Sequence, residues 1–148
     1  MSQQPLRVLV VDDNHDNAEI VRNYLESTND FVVAVAHDGD DAIARCNHDP
    51  FDVIILDVMM PGRDGWEVCR TIKSDPARAL TTRVIMLTAR DQLSDRRVAL
   101  QSGADDFLEK PLELAKLLTA VRRNAAALAA GVTAPASPDA PMTPSTQA

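Results

Sequence analysis

Short apolar runs alternate with longer amphipathic stretches along this chain, and the alternation repeats five times. Residues 7–11, 31–36, 53–56, 84–87 and 106–109 form the runs. The first four are rich in branched side chains and read as strands buried on both faces. Between them the period changes. Ala18, Val21 and Leu25 recur at helical spacing, as do Ala42, Ile43 and Cys46, and then Trp66, Cys69 and Ile72. A fourth helix is predicted over about 91–102 and a fifth from near Glu113, carrying Leu114, Leu117, Leu118, Val121 and Leu128. Asn14 or Asp16, Asp38 and Asp64 are placed to cap helix starts. Pro50, Asp75-Pro76 and Gly103 mark helix ends. Strand-helix alternation of this kind predicts an α/β fold: a doubly wound, five-stranded parallel sheet covered by helices on both faces.

Composition bounds the function. The 148 residues amount to about one domain, and 45% are hydrophobic, enough for a sizeable core. A net charge of −7 argues against nucleic acid as a direct ligand. No apolar run approaches the roughly 18 residues of a membrane span, so no membrane contact is expected. The opening Met-Ser-Gln-Gln-Pro is not a secretory signal, and a cytoplasmic location is expected. Cys46 and Cys69 lie too far apart for a CxxC motif and are expected to be free, buried thiols. Residues 1–5 read as an extension and 6–130 as the folded domain. Residues 131–148 hold four prolines and one charge, Asp139, and read as a disordered tail or linker.

In an open parallel sheet the loops at the carboxyl ends of the strands share one edge, where sites form. That edge collects Asp12 and Asp13 after the first strand, Asp57 at the end of the third, Thr88 on the fourth and Lys110 after the fifth. Acids crowded together repel, and burial raises their pKa values, so positive charge must compensate. Lys110 supplies one charge. A hard divalent cation suits the rest, because Mg²⁺ takes oxygen ligands and keeps waters that a phosphate can replace. With the Thr88 hydroxyl, this set makes a site for a phosphoryl group, working by positioning and charge neutralisation. A carboxylate can itself be the nucleophile.

These residues resemble the receiver domains of two-component response regulators, a CheY-like, flavodoxin-like three-layer fold. The likeness covers about residues 6–128. It rests on Val10-Val11-Asp12-Asp13-Asn14, on the run from Ile55 through Asp57 to Gly65, on Leu87-Thr88-Ala89, and on the run from Ser102 to Lys110-Pro111. The resemblance implies that Asp57 is the phosphoacceptor, taking its phosphoryl group from a sensor histidine kinase or a histidine phosphotransfer protein. It implies that Asp13 binds Mg²⁺ (or Mn²⁺) directly, Asp12 through water, and that Asp57 and the backbone carbonyl of Met59 complete the protein ligands. Lys110 would pair with the acyl phosphate, and Thr88 would turn toward it. Phe107 would be the switch aromatic, and the Lys110-Pro111 bond would be cis. The output would be an altered surface over the fourth helix, fifth strand and fifth helix, used for a downstream target or a homodimer. Met59 and Arg90 flank the path of an attacking water and would tune the lifetime of the phosphoryl group.

Phe107 stands where Tyr is frequent. Lacking the hydroxyl, it is expected to favour the buried rotamer even without phosphate. Other residues take plainer readings. His15, His37 and His48 show no ligand spacing and are expected at the surface. Trp66 is expected in the core. Arg96-Arg97 and Arg122-Arg123 read as solvated helix faces, with pairing to Asp105 and Asp106 across a dimer as a further option.

Rival functions fit less well. A Mg²⁺-dependent phosphohydrolase with an aspartyl nucleophile usually has an acid two residues after the nucleophile on its first strand, and here Asn14 and His15 follow the acids. A flavodoxin-like cofactor carrier must cradle a phosphate in its first loop, which Asp12, Asp13 and Asp16 would repel. A pseudo-receiver would lack one of the site residues, and none is missing. The expectation is a phospho-acceptor switch rather than an enzyme, with only slow self-dephosphorylation, either free-standing or excised from a larger hybrid kinase or effector.

Overall fold

The computed structural model describes residues 5–60, 62, 64–88 and 102–131. Pro61, Arg63, Arg90, most of the expected fourth helix with Arg96-Arg97, and the stretch from 132 onward lie outside the described residues. The strands are β1 (Leu6–Val11), β2 (Phe31–Ala36), β3 (Val53–Asp57), β4 (Arg83–Thr88) and β5 (Asp106–Glu109). The helices are α1 (His15–Glu26), α2 (Gly39–His48), α3 (Gly65–Lys73), α4 (Pro76–Thr81) and α5 (Leu114–Ala130). The sheet order is β2-β1-β3-β4-β5 and every pairing is parallel. The order reverses between β1 and β3, which places a crevice at their carboxyl ends.

Alternation along each strand divides the core in two. On β3, Ile54 and Leu56 face one way and pack with Ala42, Cys46, Val68, Cys69 and Ile72 from α2 and α3. Val53 and Ile55 face the other way, against Ala18, Val21 and Leu25 of α1 and Leu117, Ala120 and Val121 of α5. All five residues of β3 are buried. Each such aliphatic side chain contributes about 1.5–3 kcal/mol, so apolar packing fixes the strand and carries Asp57 with it.

The predicted caps hold. Asn14, Asp38 and Asp64 accept hydrogen bonds from the backbone N–H groups of Asn17, Asp41 and Glu67. Asp75-Pro76 ends α3 as expected, but it also opens a helix that the pattern did not reveal. Asp75 accepts from the Ala77 N–H, and Pro76 begins α4, where a proline's missing donor costs nothing. At the far end Gly131 takes a left-handed φ of 73° and its N–H closes α5 on Ala127 and Leu128. Both cysteines are free and buried, and burial pushes the thiols up to about 11 for Cys46 and about 12 for Cys69. No described helix is long and apolar enough to cross a membrane.

The amino ends of β4 and β5 hold a buried ionic network. Asp105 meets Lys73 Nζ at 2.7 Å and Arg83 at 3.9 Å, and accepts from the Val84 N–H at 2.8 Å. Asp106, fully buried, accepts from Arg123 Nε at 3.0 Å and Asn124 Nδ2 at 2.8 Å. Arg83 Nε donates to Asn124 Oδ1 at 3.0 Å. This corrects the pairing considered across a dimer. Both acids are matched inside their own chain, and Arg122 instead pairs with Asp30 at 3.0 Å and lies over Phe31.

Candidate functional site

β3 delivers Asp57 to the crevice with only 3% of its surface exposed. A carboxylate this buried needs donors. Lys110 Nζ donates to Oδ1 at 2.8 Å and the Met59 N–H to the same oxygen at 3.1 Å. Lys110 follows β5 directly. Its N–H bonds the Thr88 carbonyl at 2.7 Å, so the exits of β4 and β5 are tied together, and the Lys110-Pro111 bond is cis. Asp12 is placed by β1 and accepts from the Asn14 N–H at 2.9 Å. Asn14 therefore serves twice, holding Asp12 through its N–H and capping α1 with its side chain.

Asp12, Asp13 and Asp57 come together: a carboxylate oxygen from each lies within 4.8 Å of the others. Asp12 and Asp57 are buried and Asp13 is exposed. Burial pushes the Asp12 carboxyl above its usual range, and its neighbours Asp57 and Asp13 push the same way, against the Asn14 hydrogen bond and Lys110. Among the described residues, Lys110 alone leaves three acids under-compensated. The donor set, hard oxygens with one solvent-facing member, fits a divalent cation that retains water. Thr88 is fully buried and its Oγ1 has no hydrogen-bond partner among the described residues. A buried hydroxyl left without a partner is uncommon, and here it belongs to the strand end beside Asp57.

Phe107 is 6% exposed and packs in the core, with the Trp66 ring centroid 6.1 Å away. Trp66 is half-buried against the same cluster. The Met59 side chain is 61% exposed, next to Asp57 and open to solvent. His15 and His48 are exposed as expected, and His37 departs from that expectation. His37 is half-buried, its ring stacks on His15 at 3.6 Å, and its Nδ1 lies 3.4 Å from the Asp12 carbonyl oxygen. Sequence spacing could not bring together two residues from different strand ends. Gly65 was also missed as part of the site. Its N–H bonds the Val58 carbonyl at 2.9 Å, and a Cβ there would overlap the Asp57 carbonyl oxygen and stand 2.7 Å from the Val58 Cα. A glycine straight after a capping acid was the available signal.

The family described as the response regulator receiver domain matches residues 8–122. The chain is 44% identical over 117 residues to the response regulator MprA of Mycobacterium ulcerans, covering 79% of this chain and 49% of that protein. It is 44% identical over 119 residues to the response regulator PleD of Caulobacter vibrioides, covering 78% of this chain and 25% of that protein. The chain thus spans about half or less of these relatives. Among solved structures, the chemotaxis response regulator CheY4 of Vibrio cholerae superposes with a TM-score of 0.75 at 30% identity, over 82% of this chain and 99% of that one. Fold, strand-end acids and family match agree, and the chain belongs to the receiver domains of response regulators in two-component signalling.

Proposed function

We propose that this domain is a phospho-acceptor switch in which Asp57 takes a phosphoryl group from a phosphohistidine on a sensor histidine kinase or a phosphotransfer protein, in the cytoplasm. The observation that carries the reading is the charge mismatch at the crevice: among the described residues, three clustered carboxylates face one ammonium, beside a buried hydroxyl that has no partner there. Among the described residues, Asp57 Oδ1 accepts from both Lys110 and the Met59 N–H, and Oδ2 has neither bond. Oδ2 attacks phosphorus, the P–N bond breaks, and the imidazole leaves with the electron pair. Lys110 stays beside the new acyl phosphate. Thr88 Oγ1 donates to a phosphoryl oxygen and gains the partner it lacks among the described residues. Asp12, Asp13, Asp57 and the Met59 carbonyl would hold Mg²⁺, or Mn²⁺ in its place. When bound, the cation neutralises charge on the transferring group.

The domain is a switch rather than a turnover enzyme. Asn14 stands where a phosphohydrolase would need an acid, and it is already committed to Asp12 and α1. The exposed Met59 screens the approach of water to the acyl phosphate and tunes its lifetime. Movement of Thr88 is felt by Phe107, and partners that prefer the altered face shift the population. Asp57→Asn decides the matter. Incubated with Mg²⁺ and labelled acetyl phosphate, the wild type takes label to a substantial fraction and the variant takes none. Stoichiometric labelling of the variant refutes the assignment.

A further inference from the structure

Helix α3 starts at the phosphoacceptor loop and lies along the segment that carries Phe107. At its first residue, Gly65 leaves no room for a side chain against the Asp57 carbonyl and Val58. Trp66, Cys69 and Lys73 follow on one face at helical spacing. Trp66 stands against Phe107, with centroids 6.1 Å apart and planes tilted by 46°. Cys69 hydrogen-bonds with Ser102. Lys73 meets Asp105 at 2.7 Å and donates to the Thr82 carbonyl at 2.7 Å. A single rigid element therefore grips Ser102, Asp105 and Phe107 while its own first residue is wedged under Asp57.

We propose that Trp66 is a positioning residue: it holds Phe107 in the buried rotamer and ties that ring to the Asp57 loop through α3. The tilted pair at this separation is a favourable aromatic geometry. Removing the indole takes an aromatic neighbour from Phe107, whereas a phenyl ring restores a smaller version of the contact. The route is distinct from Thr88, which reaches Phe107's strand through β4 and the Lys110 N–H. Its effect on phosphoryl affinity rests on the phosphoacceptor reading above; the placement of Phe107 does not. If the buried ring belongs to the phosphoryl-binding state, bracing it removes part of the conformational cost of binding.

The test uses the full 148-residue chain. In aromatic NMR with a soluble paramagnetic agent, the Phe107 ring in unmodified wild type is protected. Trp66→Leu should raise its relaxation several-fold, and Trp66→Phe should return most of the protection. Unchanged protection in Trp66→Leu overturns the proposal. Affinity for beryllofluoride with Mg²⁺, a phosphoryl mimic, should fall roughly 2–10-fold in Trp66→Leu, the range an aromatic pair spans, and recover in Trp66→Phe. Equal affinity with an exposed Phe107 overturns the coupling. If wild type binds no beryllofluoride, the phosphoacceptor reading fails and the NMR arm still decides the brace. Should Trp66→Leu not fold, Phe107→Leu must alter the emission of Trp66, the sole tryptophan; an unaltered spectrum refutes the contact.

Discussion

Two groups of acids sit at opposite ends of the same sheet, and they are treated differently. At the amino ends of β4 and β5, Asp105 and Asp106 are buried and matched by Lys73, Arg83, Asn124 and Arg123. At the carboxyl ends, Asp12, Asp13 and Asp57 lie together, and the ion pair formed there among the described residues is that of Lys110 with Asp57. Buried charge that is paired and hydrogen-bonded fixes a structure; buried charge left in excess awaits something. The first cluster locks α3, β4, β5 and α5 together, and the second keeps a cost that a ligand can relieve.

That contrast can be broken experimentally. Asp106→Ala should have the largest effect on folding. It strands Arg123 and Asn124 around a void, and losing one partner of a buried network costs about 3–5 kcal/mol; urea unfolding reads it, and a cost below about 1 kcal/mol would mean the network is not what holds this end. Mg²⁺ should act on the other end alone. At 100 times its Kd it should stabilise wild type by about 2.7 kcal/mol, with the gain lost in Asp13→Asn and kept in a folded Lys73→Met; thermal melts in chelator and in Mg²⁺ separate these. The smallest effect is expected for Asp12→Asn in chelator. The native Asp12 pKa is raised, so its contribution is most favourable below the unfolded value of about 3.9 and is lost as pH rises through the native one. Charged Asp12 is therefore a burden at pH 7. Asp12→Asn, which keeps an oxygen for the Asn14 N–H, should match or exceed wild-type stability there, the advantage fading toward pH 4. A clear loss at pH 7 would show the crevice to be charge-balanced after all.

The fold was largely legible in the chain because its signals are local. Branched apolar runs mark strands that must be buried on both faces, and capping acids mark helix starts within a few residues. The five polar residues at the crevice were legible for a related reason: a parallel sheet sends every strand end to one edge, so sequence position predicts proximity. The amino-end network was not, because nothing in Asp105-Asp106 or Arg122-Arg123 tells whether a charge faces solvent or a neighbour; burial decides that, and burial here depends on four elements at once. The His15–His37 stack was hidden for the same reason. α4 was hidden because Pro76 reads equally as the end of one helix and the start of the next.

The cap at Gly131 has a geometric consequence. α5 begins just after Lys110-Pro111 at the edge of the acids and runs back beneath the sheet for 17 residues, about 25 Å. Its later half reaches Arg83, at the opposite pole. Whatever is joined beyond Gly131 is thus tethered at the pole remote from Asp57. A change that starts at the crevice has to cross the length of α5 before it reaches that tether.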